Sequence, residues 1–322
     1  MGWWQLNADT LAGSRFVVSP LAEATASLCA LAAGTATYPA AQDWLNAHLA
    51  AYRERLDPIT ALLVQAALGR QWIADFCVPA PTDEQRTFAE ELEIIRRTPS
   101  DIARADVAVS MHGSLPTELD RSDLPARIAD LLEWVWTQTV LPDWPRRRRV
   151  IEADIVSRTA QLSQGGWAAA LQDLRPGMRW LGDGRLQINV HSRPPRAISP
   201  RARLRFVPVT PGHAAWVTWD EPHTYAVIYP CSGVLAEPDE ELVPQALGRL
   251  LGPARASVLV LLATPKSTTQ LVALTGQSLG SIGRHLKVLL NARLVRRRRA
   301  GRSVLYYRTE AGNVLVQAQD QQ

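Results

Sequence analysis

The sequence predicts a mostly α-helical chain with small β parts. A large helical N-terminal domain carries a small antiparallel sheet, and a compact domain of three helices and a β-hairpin follows. Three observations carry this expectation. Residues 1–175 read as a series of capped, amphipathic helical segments. Short β-branched and aromatic runs bounded by Gly and Pro fall at about 180–235. Charge then changes abruptly: Gln245 to Gln322 hold 12 Lys and Arg against 2 Asp and Glu, a balance of +10, whereas the first 244 residues balance at −6.

In the first part, "SPLAEATASLCALAAG" offers Ser19 as N-cap, Pro20 at the first helical position and Gly34 as a stop. "YPAAQDWLNAHLAAYRERL" is next, and Asp57-Pro58 opens "DPITALLVQAALG". "TDEQRTFAEELEIIRR" is expected to start at Thr82 and to end in Arg96-Arg97, which suits the helix dipole. "LPARIADLLEWVWTQTVL" is amphipathic and Trp-rich, and "VIEADIVSRTAQLSQGGWAAALQDL" completes the helical set. After Pro176, "GRLQINV", "ARLRFVPVT" and "HTYAVIYP" read as strands. "GVLAEPDEELVPQ" reads as an acidic connector, which divides the chain into residues 1–240 and 241–322.

Composition narrows the function classes. A 322-residue chain with 47% hydrophobic residues and 11 Trp can build real cores. Cys29, Cys77 and Cys231 are far apart and form no CxxC, so neither a disulfide framework nor a structural zinc is expected, and a cytoplasmic setting fits. The first thirty residues lack a signal pattern, and stretches such as "ITALLVQAALG" are too short to span a bilayer, so no membrane role is expected. No GxSxG, HExxH or phosphate-loop spacing occurs, and no cofactor is expected. Glu90, Glu91 and Glu93 on one helix read as solvated. Trp134 and Trp136, two apart, are not expected to face one core together. "PRRRR" at 145–149 reads as a surface patch at a helix start, with an auxiliary DNA contact as the minor alternative.

The last eighty residues are the most informative. "GPARASVLVLLA", "STTQLVALTG" and "QSLGSIGRHLKVLLNA" read as three helices, the third capped by Ser278. Leu279, Ile282, Leu286 and Leu289 recur at steps of three and four and predict one buried stripe. The opposite side carries Gly280, Arg284, Lys287 and Asn291, flanked by Ser281 and Val288, with His285 nearer the stripe. Two helices joined by a tight turn form a helix-turn-helix, whose second helix enters a DNA major groove by its N-terminal half. "LVRRRRAGRSVLYYRT" follows as a hairpin. An Ala300-Gly301 turn would set Arg299 against Arg302 and bring Leu294 and Val295 near Tyr306 and Tyr307. Its basic tip would meet phosphate.

These residues resemble the winged helix-turn-helix of the ArsR/SmtB-type bacterial repressors over about 250–315. His285-Leu286-Lys287, Leu294-Val295, Gly301-Arg302 and the closing tyrosines fall in the family's order. Two positions depart: Gly283 stands where the family has Ser, and Arg293 where it has Gly before Leu-Val. The Cys and His ligands of its metal sensors are absent from "VLLATPKSTTQL" and "EAGNVLVQAQD", so metal sensing is not expected. The N-terminal part resembles segments that precede this motif in actinobacterial regulators.

The resemblance implies a dimeric, nucleoid-associated repressor of an inverted-repeat operator in double-stranded DNA, controlled by a small-molecule effector or partner at the N-terminal domain. Ser278, Gly280, Ser281, Arg284, His285, Lys287, Arg296, Arg297, Arg298, Arg299, Arg302 and Tyr306 would form the DNA-binding set. The alternatives are a DNA-bound scaffold for a protein partner and an enzyme with a DNA-binding appendage.

Overall fold

The computed structural model describes residues 2–36, 39–69, 72–81, 86–171, 174–189, 194–212, 215–231, 245–262, 266–275, 277–300 and 303–317. Its contacts form two units: Met1–Ile151 with Gln172–Ser232, and Glu152–Leu171 with Gly233–Gln322. The division at 240/241 expected from the sequence falls outside the described residues. Residues 152–171, expected in the first part, group with the second. Helical periodicity reveals an apolar face but not which core it joins.

The first unit begins with β1 (Gly2–Gln5), α1 (Ala8–Ala12) and β2 (Arg15–Phe16). Then come α2 (Pro20–Ala33), α3 (Pro39–Arg55), α4 (Pro58–Ala67), α5 (Phe88–Arg96), α6 (Ser100–Ser110) and α7 (Leu124–Val135). The long α8 (Trp144–Ala170) supplies its first residues to this unit. Local chemistry explains the boundaries. Ser19 Oγ accepts from Ala22 N at the start of α2, and Gly34 ends it at φ 63, a left-handed conformation that suits glycine. Asp57 accepts from Ile59 N and Thr60 N to start α4. Helix α5 starts later than expected. Thr87, not Thr82, is its N-cap, in a reciprocal capping box with Glu90, while 82–85 lie outside the described residues.

Helices α2, α5 and α7 pack on one another through Leu28, Leu31, Leu92, Ile95, Ile128 and Leu132, all buried. Each such side chain contributes about 1.5–3 kcal/mol on burial. Trp134 and Trp136 both pack against this core. The two rings, each half-buried, flank the buried Val135 that lies between them in sequence. Trp136 stacks on Phe88 with ring centroids 4.7 Å apart.

The β part is larger than expected and is mixed in direction. β3 (Arg179–Gly182), β4 (Arg185–Asn189), β5 (Arg196–Ala197), β6 (Arg203–Val209), β7 (Trp216–Asp220) and β8 (Thr224–Pro230) join the two N-terminal strands in two four-stranded sheets. Their orders are β3-β4-β1-β5 and β2-β6-β8-β7. β1 runs antiparallel to β4 but parallel to β5, and β6 is parallel to both β2 and β8. The interiors of β6 and β8 are buried almost without alternation, as strands covered on both faces require. Trp4 meets Tyr225 and Trp219 edge-on, 5.4 and 6.4 Å away, and ties the sheets together.

Two charged groups in this unit sit differently from the sequence reading. Glu91 is buried and accepts from Ser19 Oγ at 3.1 Å and Leu21 N at 2.8 Å, so it serves the N-terminus of α2. Burial pushes its carboxyl up to about 7, against the pull of those hydrogen bonds and of Arg86. Arg147, second in the run 146–149, is 2% exposed. Its Nη1 lies 2.7 Å from Glu23 Oε1 and 3.1 Å from Ser27 Oγ, and its guanidinium covers the Trp44 ring at 5.2 Å. Thr210 N donates to Glu23 Oε2 at 2.8 Å. Only part of that run is a surface patch.

In the second unit the residues after 244 form α9 (Gln245–Leu251), α10 (Pro253–Leu261), β9 (Lys266–Ser267), α11 (Thr268–Thr275) and α12 (Leu279–Asn291). β10 (Val295–Ala300), β11 (Ser303–Arg308) and α13 (Glu310–Gln317) complete it. The core is Val258, Leu259, Leu262, Leu271, Ile282, Leu286, Leu289 and Val295. Gly276, the expected stop of α11, lies outside the described residues.

Candidate nucleic-acid interface

The third helix of the motif is α12. Ser278 is extended at φ −66 and ψ 153, and its Oγ accepts from Ser281 N at 3.2 Å, so it caps the helix. Ile282, Leu286 and Leu289 are buried as the stripe requires. Leu279, expected to join them, is 62% exposed. It is the first residue of the helix, and Gly283, one turn on, offers it no side chain to pack against. Gly280, Gly283, Arg284, Lys287 and Val288 are also exposed.

Two of the expected readers are engaged within the helix. Ser281 Oγ donates to Gln277 Oε1 at 3.0 Å and lies 3.2 Å from His285 Nε2. His285 is half-buried, and burial together with Arg255 and Arg284 lowers its pKa, so the ring is neutral at pH 7. Gln277, Ser281 and His285 brace the first turns and leave Arg284 and Lys287 as the cations of the exposed face.

After α12 the chain makes a Schellman turn: Leu294 N donates to Leu289 O and Arg293 N to Leu290 O, both at 3.0 Å. Arg293 takes φ 58, the left-handed conformation that glycine adopts at this point. That explains the glycine of the resembled pattern, and it makes Arg293 strained. Thr309 closes the hairpin base, donating through N to Leu294 O at 3.0 Å and through Oγ1 to Arg293 O at 2.7 Å.

The hairpin forms, but its register is two residues away from the expected one. Val295 pairs with Arg308, Arg296 with Tyr307, Arg297 with Tyr306, and Ala300 with Ser303. The loop therefore cannot be Ala300-Gly301. The base decides this: the Thr309 contacts, Arg308 Nη2 donating to Val260 O at 2.7 Å, and the pairing of β9 with Leu305 and Tyr306 anchor the returning strand. A shift of two keeps every side chain on its face. Arg296, Arg297 and Arg298 are exposed. Arg299 pairs with Val304; its side chain, and Arg302 as a whole, lie outside the described residues.

Tyr306 packs half-buried against the domain core, while Tyr307 lies on the other face with the Arg296 guanidinium 5.8 Å from its ring centre. Lys266, beside Tyr306, is held down to about 8 by burial and by Arg308. Sequence reasoning missed β9 and Leu279. The signal for Leu279 was its place before Gly280 and Gly283.

The first unit contains a small cleft, with a cavity volume of about 10 Å³ or room for about one water, lined by Leu21, Val78, Pro79 and Ile228 among others. Thr25 and Trp216 line it, and Thr25 Oγ1 and Trp216 Nε1 are buried with no hydrogen-bond partner among the described residues. Among the described residues no group of three or more His, Cys, Asp or Glu could hold a metal ion, and no helix is long and apolar enough to cross a membrane.

Residues 252–297 match the family model of the bacterial regulatory proteins of the arsR family, and residues 7–124 match a family of unknown function (DUF5937). None of the curated proteins and none of the solved structures compared matches the chain. The first match covers the three helices and the first residues of the outgoing strand of the motif just described. The chain thus carries an ArsR-family helix-turn-helix, the domain of a DNA-binding transcription regulator, behind an N-terminal domain of a family without known function.

Proposed function

We propose that this chain is a homodimeric, sequence-specific repressor that occupies an inverted-repeat operator in the cytoplasm and is released by a non-metal effector acting on the first unit. One observation carries the DNA reading. An ArsR-family motif presents Arg284 and Lys287 on the exposed face of α12, and Arg296, Arg297 and Arg298 on the hairpin, all exposed to solvent. Arg284 suits bidentate contact with guanine, and the hairpin arginines suit phosphate. A two-fold dimer would set half-sites about one helical turn apart.

We place the effector's contact at the small cleft of the first unit, where Trp216 Nε1 and Thr25 Oγ1 offer a donor and a hydroxyl that have no partner among the described residues. A single acceptor atom of an effector, reaching into the space of about one water, would satisfy both. The proposal gives the first unit no catalytic role.

A scaffold reading has its own observation: Ile102, Val109 and Met111, on and just beyond α6, are 49%, 56% and 39% exposed, a surface a protein partner could cover. Selection of bound fragments from genomic DNA by the full-length chain tests the main proposal. Recovery of a palindromic site whose complex is dissociated by a metabolite supports it. Recovery of non-palindromic, unrelated fragments contradicts it.

A further inference from the structure

We infer that Leu279 is a base-reading residue and that it selects thymine in the operator by packing on the C5 methyl group. The inference rests on the DNA-binding reading and names what part of α12 recognises. Leu279 is the first residue of the helix that the motif inserts in the major groove, and it is 62% exposed. Side chains lean toward a helix N-terminus, so Leu279 projects ahead of the helix at the end that approaches the bases.

Among the described residues nothing accounts for this placement. Its neighbour one turn on is Gly283, and a Cβ built on either Gly280 or Gly283 meets nothing within 4 Å. No packing constraint among the described residues therefore demands glycine at either position, although each glycine weakens the helix by about 1 kcal/mol relative to alanine. Together they clear a shallow, side-chain-free surface beside one apolar side chain. The polar groups nearby do not compete for the same base: Ser278 caps the helix, and Ser281 bonds both Gln277 and His285.

In the major groove only thymine presents an apolar group, the C5 methyl, and apolar side chains read it. The bare surface at the two glycines lets the backbone come close enough for Leu279 to reach that methyl, while Arg284, one turn further along, reaches a guanine.

The test uses the full-length chain and the operator recovered by fragment selection. Each thymine is replaced in turn by uracil, which removes the methyl and keeps every hydrogen-bonding group. One thymine per half-site should lose about four-fold in affinity on replacement, the effect of one buried methyl. Leu279→Ala, which removes the contact from both half-sites at once, should lose about sixteen-fold on the thymine operator and show no further loss with uracil at that position. Because Leu279 is exposed, this variant should keep the wild-type unfolding midpoint. The inference is overturned if no single thymine-to-uracil change matters, or if the uracil effect is undiminished in Leu279→Ala. Failure to recover any selective operator would instead overturn the DNA-binding reading itself and this inference with it, so the two failures are told apart.

Discussion

The chain contains two runs of four consecutive arginines, 146–149 and 296–299, and they have opposite environments. The first lies on a helix. Arg147 points inward with Val150 and Ile151, at steps of three and four, and pairs with Glu23 at 2.7 Å, while Arg148 and Arg149 stay exposed. The second lies on a hairpin strand that extends past its core after Val295, and Arg296, Arg297 and Arg298 are all exposed. Identical sequence thus gives a structural ion pair in one place and a cationic surface in the other. What decides is the periodicity of the carrying element and where the core ends, not the charge.

The largest effect that would break this comparison is at Arg147. Arg147→Ala leaves Glu23 buried without its cation and should destabilise the first unit by about 3–5 kcal/mol in urea unfolding. Arg297→Ala should change stability by less than about 0.5 kcal/mol. Equal effects would erase the distinction.

Much of the fold is legible in the residues alone. Ser19, Gly34, Asp57 and Ser278 each act where local chemistry places them, because caps depend on three or four neighbouring residues. The order of helix, turn, helix and hairpin is legible for the same reason. What escapes the sequence depends on partners far along the chain. Gly2–Gln5 pairs with strands after residue 184, and Arg147 finds Glu23 across 124 positions. The hairpin register differs from the expected one because Thr309, beyond the strand, fixes its base. Leu279 departs from the buried stripe because periodicity shows a side chain's direction but not whether anything lies there.

A second prediction concerns the buried carboxylate that the sequence reading left in solvent. Glu91 rises from its ordinary 4.5 to about 7 in the folded chain, so the folded state holds a proton that the unfolded state has lost between those values. Stability is therefore fully present below pH 4.5 and falls as pH rises toward 7, by on the order of 3 kcal/mol. Asp75, raised to about 6 mainly by burial, acts in the same direction. In Glu91→Gln, thermal unfolding followed from pH 4.5 to 7.5 should show a flatter decline. A decline as steep as that of the wild type would show that Glu91 is not the group responsible.

Within the DNA-binding domain, Arg284→Ala should relax preference at one base pair by about 1–3 kcal/mol, read as a changed consensus in selected fragments. A uniformly weakened but unchanged consensus would move Arg284 to the phosphate class. The smallest effect is at the turn. Arg293→Gly relieves the left-handed backbone and should stabilise the second unit by about 1 kcal/mol without altering the consensus.

The most direct test sets the exposed members of the two runs side by side. Binding of the full-length chain to its selected operator is measured across salt concentrations for the wild type, for Arg148→Ala with Arg149→Ala, and for alanine at Arg296, Arg297 and Arg298. The hairpin variant should bind all sequences more weakly, with the slope of log affinity against log salt reduced by about 0.9 for each phosphate that is no longer neutralised. The helix variant should keep the wild-type slope. An unchanged slope in the hairpin variant, or an equal reduction in both, would contradict the assignment of the hairpin as the DNA-contacting wing.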